Sequence, residues 1–319
     1  MPAGRGSMDT FAVVLREPGR LFVDRVGLAP VGADDVVVDV EWSGISTGTE
    51  RLLWSGAMPD FPGMGYPLVP GYETVGRVVG AGSGAQHRVG ERVFVPGARC
   101  FDGVRALFGG AAGRLVAPQA RAHAIDEALG ERGVLLALAA TARHAMASPG
   151  ARVPELIVGH GVLGRLLARL ACAEGGTPTV WEADPGRCGG ADGYRVIHPD
   201  ADERRDYAAI YDCSGDAALL DRLIGSLAPG GEIVLAGFYS APIRFDFAPA
   251  FMREARLRVA AEWRAPDLAA VATAVADGRL SLDGLVTHVE HADRAPGAYQ
   301  AAFTEPACLK MVLDWRYRR

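Results

Sequence analysis

Leu156-Ile157-Val158-Gly159-His160-Gly161-Val162-Leu163-Gly164-Arg165 is the stretch that decides how the second half of this chain folds. Its three leading apolar residues read as a short buried strand. Three glycines spaced G-x-G-x-x-G then open a helix that continues through Leu166, Leu167, Leu170 and Ala171. The glycine spacing alone is weak evidence; the strand before it and the helix after it give it meaning. Gly159 permits the tight turn, Gly161 lets a pyrophosphate approach the backbone, and Gly164 lets the helix pack closely on the strand. The pyrophosphate would rest on the helix N-terminus, where free N–H groups and the dipole favour negative charge. A glycine-rich turn of some other α/β fold is the alternative.

Reading outward, Thr179-Val180-Trp181 forms the next strand. An acidic residue about 20 positions beyond the glycines grips the adenine ribose in such units. Glu182 is the expected residue: its carboxylate would accept both ribose hydroxyls and repel a 2′-phosphate, favouring NAD over NADP. Asp184 is the alternative acid, and Arg187 is the residue that could accommodate the phosphate instead. Ala209-Ile210-Tyr211 and Glu232-Ile233-Val234-Leu235 extend the alternation of strands and helices. The implied fold class is α/β, a doubly wound parallel sheet of the Rossmann kind. Ser214-Gly215 and Gly237-Phe238 fall at strand C-termini, the side on which such sheets bind ligands.

Before Arg121 the pattern differs. Val36-Val37-Val38-Asp39-Val40, Thr74-Val75-Gly76-Arg77-Val78-Val79 and Arg92-Val93-Phe94-Val95 are short β-branched runs separated by glycine and proline. They suggest a barrel-like, β-rich unit. Ser55 to Pro70 is a long connection of the kind that tends to be functional. From Pro266 a helix to about Ala276 precedes a mixed segment ending in Leu309-Lys310-Met311-Val312-Leu313-Asp314. The expected division is 8–122 for the β-rich unit, 123–262 for the dinucleotide unit and 263–319 for a return to the first. Met1–Ser7, followed by a second methionine, is expected to lie outside the fold.

Composition narrows the function. A net charge of -5 spread along the chain gives no basic surface for nucleic acid. No run approaches the roughly 18–20 apolar residues of a membrane span, and no export signal precedes Met8. Five cysteines without a C-x-x-C pair suggest reduced thiols and a cytoplasmic protein. Lys310 is the only lysine, which excludes a catalytic lysine at any other position, including a Tyr-x-x-x-Lys pair. His288 and His291 are a candidate metal pair, but three residues apart on a strand-to-loop segment they would face different ways.

Gly44-Ile45, Pro70-Gly71-Tyr72-Glu73 and Arg88-Val89-Gly90-Glu91-Arg92-Val93 resemble the medium-chain dehydrogenase/reductase family from about Phe11 to Asp314. The resemblance implies a GroES-like catalytic domain interrupted by the Rossmann domain, and a homodimer paired through edge strands near Arg256–Ala260. Zinc-dependent members carry cysteine, histidine and a further cysteine or acid. Here those positions hold Ser46 or Thr47, then Tyr72, then a residue near Ala137. Hydroxyls, a phenol and a methyl group do not build a tetrahedral zinc site, so no metal is expected.

Ser43 to Gly56, Phe61 to Glu73 and Cys308 to Trp315 are similar to a subfamily of bacteriochlorophyll synthesis that oxidises a ring 3-(1-hydroxyethyl) group to acetyl. The resemblance supplies a tetrapyrrole as substrate. It also places Thr49 at the family's proton-relay position, with Ser46, Thr47 and Tyr72 as hydrogen-bond donors around it. Tyr72 could instead fill the space a metal would take. Glu50 and Glu73 match acidic positions expected to tie down loops. Leu52 replaces a later relay histidine, so the proton must leave by another route. Thr141 matches a position that touches the nicotinamide, and His144, one turn on, is a spare base or a satisfied structural histidine. Trp54, Phe61, Met64, Tyr66, Phe101, Phe108 and Phe238 could line a broad apolar pocket or belong to the core, with Arg51 or Arg99 facing a substrate propionate. Two other readings share this pattern: a zinc-free NADPH-dependent quinone or enone reductase, which Glu182 opposes, and a non-enzymatic NAD sensor, which the cluster of hydroxyls opposes.

Overall fold

The computed structural model describes residues 8–60 and 62–318; Met1–Ser7, Phe61 and Arg319 lie outside the described residues. The chain forms two compact units, one running up to Leu135 and resuming at Val286, the other spanning Leu136–Leu285.

The second unit is built on six strands standing in the order Arg195–Ile197, Thr179–Trp181, Leu156–Val158, Tyr207–Asp212, Leu227–Leu235 and Arg256–Val259. Every neighbouring pair is parallel. This is the doubly wound order, with the reversal of direction falling between Leu156–Val158 and Tyr207–Asp212. Leu156, Ile157 and Ile210 are wholly buried, as expected of a parallel sheet covered on both faces. The helix Val162–Ala173 lays Leu166, Leu167, Leu170 and Ala171 into the interior. Burial of each such leucine contributes roughly 1.5–3 kcal/mol.

The first unit holds a seven-stranded sheet. Its path runs His288–His291, Met311–Asp314, Asp35–Ile45, Thr74–Ala81, Arg92–Val95 and His123–Ala124, with Arg114–Pro118 also paired to Asp35–Ile45. A four-stranded sheet, Arg20–Gly27, Asp9–Glu17, Leu68–Pro70 and Arg105–Leu107, completes it. Val36, Val38 and Val40 alternate into the core with no exposure, the period of two that a half-buried strand requires. The C-terminal strand returns to pair Met311 with Ile45 and Val312 with Gly44.

The unit boundaries fall later than the sequence reading placed them. Glu127–Leu135 packs on the barrel strands, because Gly133, Val134 and Leu135 are buried there. Ala265–Ala276 packs on the helix Leu136–Met146 and buries Leu268, Val271 and Ala274 within the dinucleotide unit. Two elements gave no periodic signal: the three-residue edge strand Arg195–Ile197 and the helix Thr49–Ser55. No helix among the described residues is long and apolar enough to cross a membrane.

Candidate active site

The strand Asp35–Ile45 delivers its C-terminus to Ser46, and the turn after Pro70 delivers Tyr72. The Ser46 Oγ and Tyr72 Oη stand 2.6 Å apart. Thr49, the first residue of the helix Thr49–Ser55, adds a second hydroxyl interaction to the Tyr72 phenol. Phe108 meets the Tyr72 ring edge-on at 5.5 Å. Thr47 lies exposed beside this group. Burial and the neighbouring Glu73 charge push the phenol well above its ordinary range, so at neutral pH Tyr72 is a neutral donor.

Beneath these hydroxyls lies a frame of buried charge. Lys310 Nζ donates to Glu73 at 2.9 and 2.7 Å and to the Ile45 carbonyl at 3.1 Å. Both side chains are sealed from solvent, at 1% and 0% exposure. Glu50 accepts from the Ser46 N–H at 2.9 Å and from the Tyr299 hydroxyl at 2.5 Å. Burial raises the Glu50 carboxyl to about 7. Burial also raises Glu73, while Lys310 opposes the rise. A Cβ on Gly44 would strike the Glu73 carboxylate, so only glycine fits where Gly44 passes it. The two glutamates thus brace the loop, as their family positions implied. Lys310 and Tyr299 were missed as site residues. A lone lysine opening the final strand was the available signal for the first, whereas Tyr299 sits on the helix Ala295–Thr304 with nothing in sequence to mark it.

A zinc ion needs several N, S or anionic O donors facing one point. Ser46 and Tyr72 instead face each other, and the phenol is held neutral. Among the described residues no group of three or more histidine, cysteine or carboxylate side chains could hold a metal. His291 stacks on Tyr317 and His288 bonds its neighbour Thr287. The donor set at these positions does not fit zinc.

The glycine turn carries the features a dinucleotide needs. Gly159 adopts φ 95°, a left-handed conformation that glycine alone enters without strain. A Cβ on Gly164 would collide with the Gly159 carbonyl, while one on Gly161 would meet nothing within 4 Å. Gly161 is therefore open where a side chain would stand. The Glu182 carboxylate sits at the end of its strand, accepting from the backbone N–H groups of His160 and Asp184, each at 2.9 Å. Arg187 turns toward Asp184, 3.8 Å away. His160 is fully buried. Its Nδ1 donates at 2.6 Å to the Arg187 carbonyl, which leaves Nε2 to accept from Tyr194 at 2.9 Å. These bonds hold the loop after Glu182 against the turn.

Ser214 and Gly237 occupy the adjoining strand ends. The Ser214 hydroxyl donates to the buried Asp212 carboxylate at 2.6 Å, and Tyr239 donates to its other oxygen at 2.5 Å. A Cβ on Gly237 would come within 2.8 Å of the Gly215 nitrogen, which explains the glycine there. Thr141 spends its hydroxyl on the Ala137 carbonyl at 2.9 Å. His144 Nδ1 bonds Asp267 at 2.8 Å, and the same carboxylate oxygen caps the helix Ala265–Ala276 through the Arg264 N–H. His144 is thus a satisfied histidine tying two helices together. Of the aromatic candidates, Trp54 packs on Phe303 and Phe238 is 43% exposed in the dinucleotide unit.

Known proteins resemble this chain at the level of both family and fold. Residues 32–127 match the family described as alcohol dehydrogenase GroES-like domain. The 2-desacetyl-2-hydroxyethyl bacteriochlorophyllide A dehydrogenase of Rhodobacter capsulatus is 56% identical, over 97% of this chain and 99% of its own. Its counterpart from Cereibacter sphaeroides is 55% identical with the same coverage, 97% and 99%. Among solved structures, an Escherichia coli CFT073 alcohol dehydrogenase complexed with NADH superposes with a TM-score of 0.82 at 21% identity, covering 97% of this chain and 100% of its own. The 2R,3R-butanediol dehydrogenase of Bacillus subtilis gives 0.82 at 20% identity, covering 96% and 99%. At that identity these two speak for the fold alone.

Proposed function

The chain belongs to the family of 2-desacetyl-2-hydroxyethyl bacteriochlorophyllide A dehydrogenases, and on that premise we propose that it oxidises the hydroxyethyl group of a bacteriochlorophyllide to acetyl with NAD, without a metal. The observation that carries the metal-free reading is the 2.6 Å pairing of Ser46 with Tyr72 at positions where zinc-dependent relatives place ligands.

An alcohol gives up hydride readily only as its oxygen becomes anionic, which zinc ordinarily stabilises. Tyr72, kept protonated by burial, can donate to that developing oxyanion, and Ser46 holds the phenol in place. Because it is protonated, Tyr72 cannot be the base. Thr49 takes the hydroxyl proton and passes its own outward past the exposed Thr47. NAD, held by the turn Gly159–Gly164 and by Glu182, would supply the hydride acceptor. The macrocycle assists, since the acetyl product is a conjugated ketone.

Glu182 supports NAD over NADP: its carboxylate is fixed by two backbone N–H groups where a ribose diol would bond and a 2′-phosphate would be repelled. A homodimer is supported by the edge strand Arg256–Val259, whose Val259 is 73% exposed and whose outer side pairs with no further strand among the described residues. A Val259→Lys variant that kept the wild-type mass in light scattering would count against that interface. The activity itself is tested by anaerobic incubation with NAD and hydroxyethyl bacteriochlorophyllide. A red-shifted acetyl pigment forming with NADH is the expected result, and an unchanged pigment spectrum would refute the reading.

A further inference from the structure

Two of the cavities that indent the barrel unit carry paired arginines. The larger of these two, about 470 Å³, includes Arg16 and Arg25. Their charges are already spent: Arg16 pairs with Asp24 at 2.9 Å and Arg25 with Asp9 at 2.8 Å. The second, about 340 Å³, is lined by Gly63, Arg99, Phe101, Val104, Arg105 and Ala106. No carboxylate lines it. Asp102, the nearest acid in sequence, turns instead toward Gly27, where an added Cβ would lie 3.1 Å from its oxygen.

The two arginines differ in a useful way. Arg105 is anchored, donating from one guanidinium nitrogen to the Met64 carbonyl at 2.8 Å. Arg99 makes no hydrogen bond or ion pair with any described residue, and its guanidinium passes over Gly63, where a Cβ would sit 3.7 Å away. An uncompensated guanidinium with an anchored partner beside it is a site for a carboxylate, which a planar fork binds through two bonds. Phe101, Val104 and Ala106 supply the apolar wall that a ring edge would need. The wall lies near the reactive hydroxyls along the chain: Ala106 belongs to the strand Arg105–Leu107, and Phe108, the residue after that strand, meets the Tyr72 ring edge-on at 5.5 Å.

We propose that this cavity is a carboxylate subsite in which Arg99, supported by Arg105, seats the free propionate of the tetrapyrrole and so orients the macrocycle. The proposal rests on the activity inferred above. A chlorophyllide, unlike an esterified chlorophyll, carries that free acid, and the subsite would read the difference.

The test compares hydroxyethyl bacteriochlorophyllide with its propionate methyl ester, on wild type and on the Arg99→Gln and Arg99→Lys variants. Arg99 is exposed, so its replacement leaves the fold in place. Wild type should show a KM for the acid roughly 10- to 100-fold below that for the ester, the size of a lost charged hydrogen bond. Arg99→Gln should raise KM for the acid to the ester's value, change kcat far less, and leave the ester's kinetics alone. Arg99→Lys should recover part of the preference. Equal kcat/KM for acid and ester on wild type, or an equal loss for both in Arg99→Gln, would overturn the subsite while leaving the activity standing. If wild type oxidised neither pigment, the activity would have failed, and the subsite with it.

Discussion

The hydroxyls of Ser46 and Tyr72 stand 2.6 Å apart, and one residue along the chain from each, Lys310 joins the Ile45 carbonyl to the Glu73 carboxylate. The hydroxyl pair is therefore set on a rigid base. Its geometry is fixed before substrate arrives, which is what lets a hydrogen bond stabilise a developing charge without reorganisation.

Removing either hydroxyl should cost catalysis more than binding. Tyr72→Phe keeps the ring against Phe108 and deletes only the donor, so kcat should fall about 100-fold, the size of a lost oxyanion donor. Ser46→Ala should fall less, and the double variant should lose less than the product of the two, because each acts through the other. Thr49→Val should lower kcat if Thr49 relays the proton; an undiminished kcat in steady-state NADH formation would remove it from the mechanism.

Metal removal should change nothing. With hydroxyls at the ligand positions, dialysis against a strong chelator should leave turnover within error of the untreated enzyme. Elemental analysis of active protein should find far less than one zinc per chain. A stoichiometric divalent ion, or activity restored only by zinc, would show that the hydroxyl pair is not the metal's substitute.

Cofactor choice should reside in one carboxylate. Glu182→Gln keeps an oxygen to accept from a backbone N–H but loses the negative charge that repels a 2′-phosphate. The preference for NAD over NADP, measured as a ratio of kcat/KM, should narrow about tenfold or more, in line with a charged hydrogen bond worth roughly 1.5–3 kcal/mol. An unchanged ratio would assign the choice elsewhere, with Asp184 and Arg187 next in line.

The doubly wound half was legible because each of its signals is local. Gly159, Gly161 and Gly164 follow a strand and open a helix, and Glu182 ends the next strand, so distances along the chain map directly onto distances in the fold. The barrel half was legible only as a class. Glu50 meets Tyr299 across most of the sequence, as Glu73 meets Lys310, and no spacing rule links residues so far apart. Charge pairing at that range is decided by the sheet register that sets Met311 against Ile45. The strand Arg195–Ile197 escaped for another reason. Three residues at a sheet edge, one of them an arginine, carry too little periodicity to stand out from a loop.

Glu50 should give the fold a pH dependence opposite to that of an ordinary surface carboxylate. Burial lifts its carboxyl from 4.5 to about 7 in the folded chain, whereas in the unfolded chain it titrates near 4.5. Between those values the native state holds the proton more tightly, so raising the pH across this window destabilises it. The contribution is fully present below about 4.5, is lost as the pH rises to about 7, and is flat beyond; its size is on the order of 3 kcal/mol. Glu73 is shifted in the same direction, so the wild-type curve alone does not isolate Glu50. Glu50→Gln does, since it is neutral at every pH and still offers an oxygen to the Ser46 N–H. Thermal unfolding of both proteins from pH 5 to pH 8 should show the wild type losing stability relative to the variant as the pH rises. A gap independent of pH would mean that the Glu50 carboxyl keeps its ordinary acidity despite lying at 1% exposure.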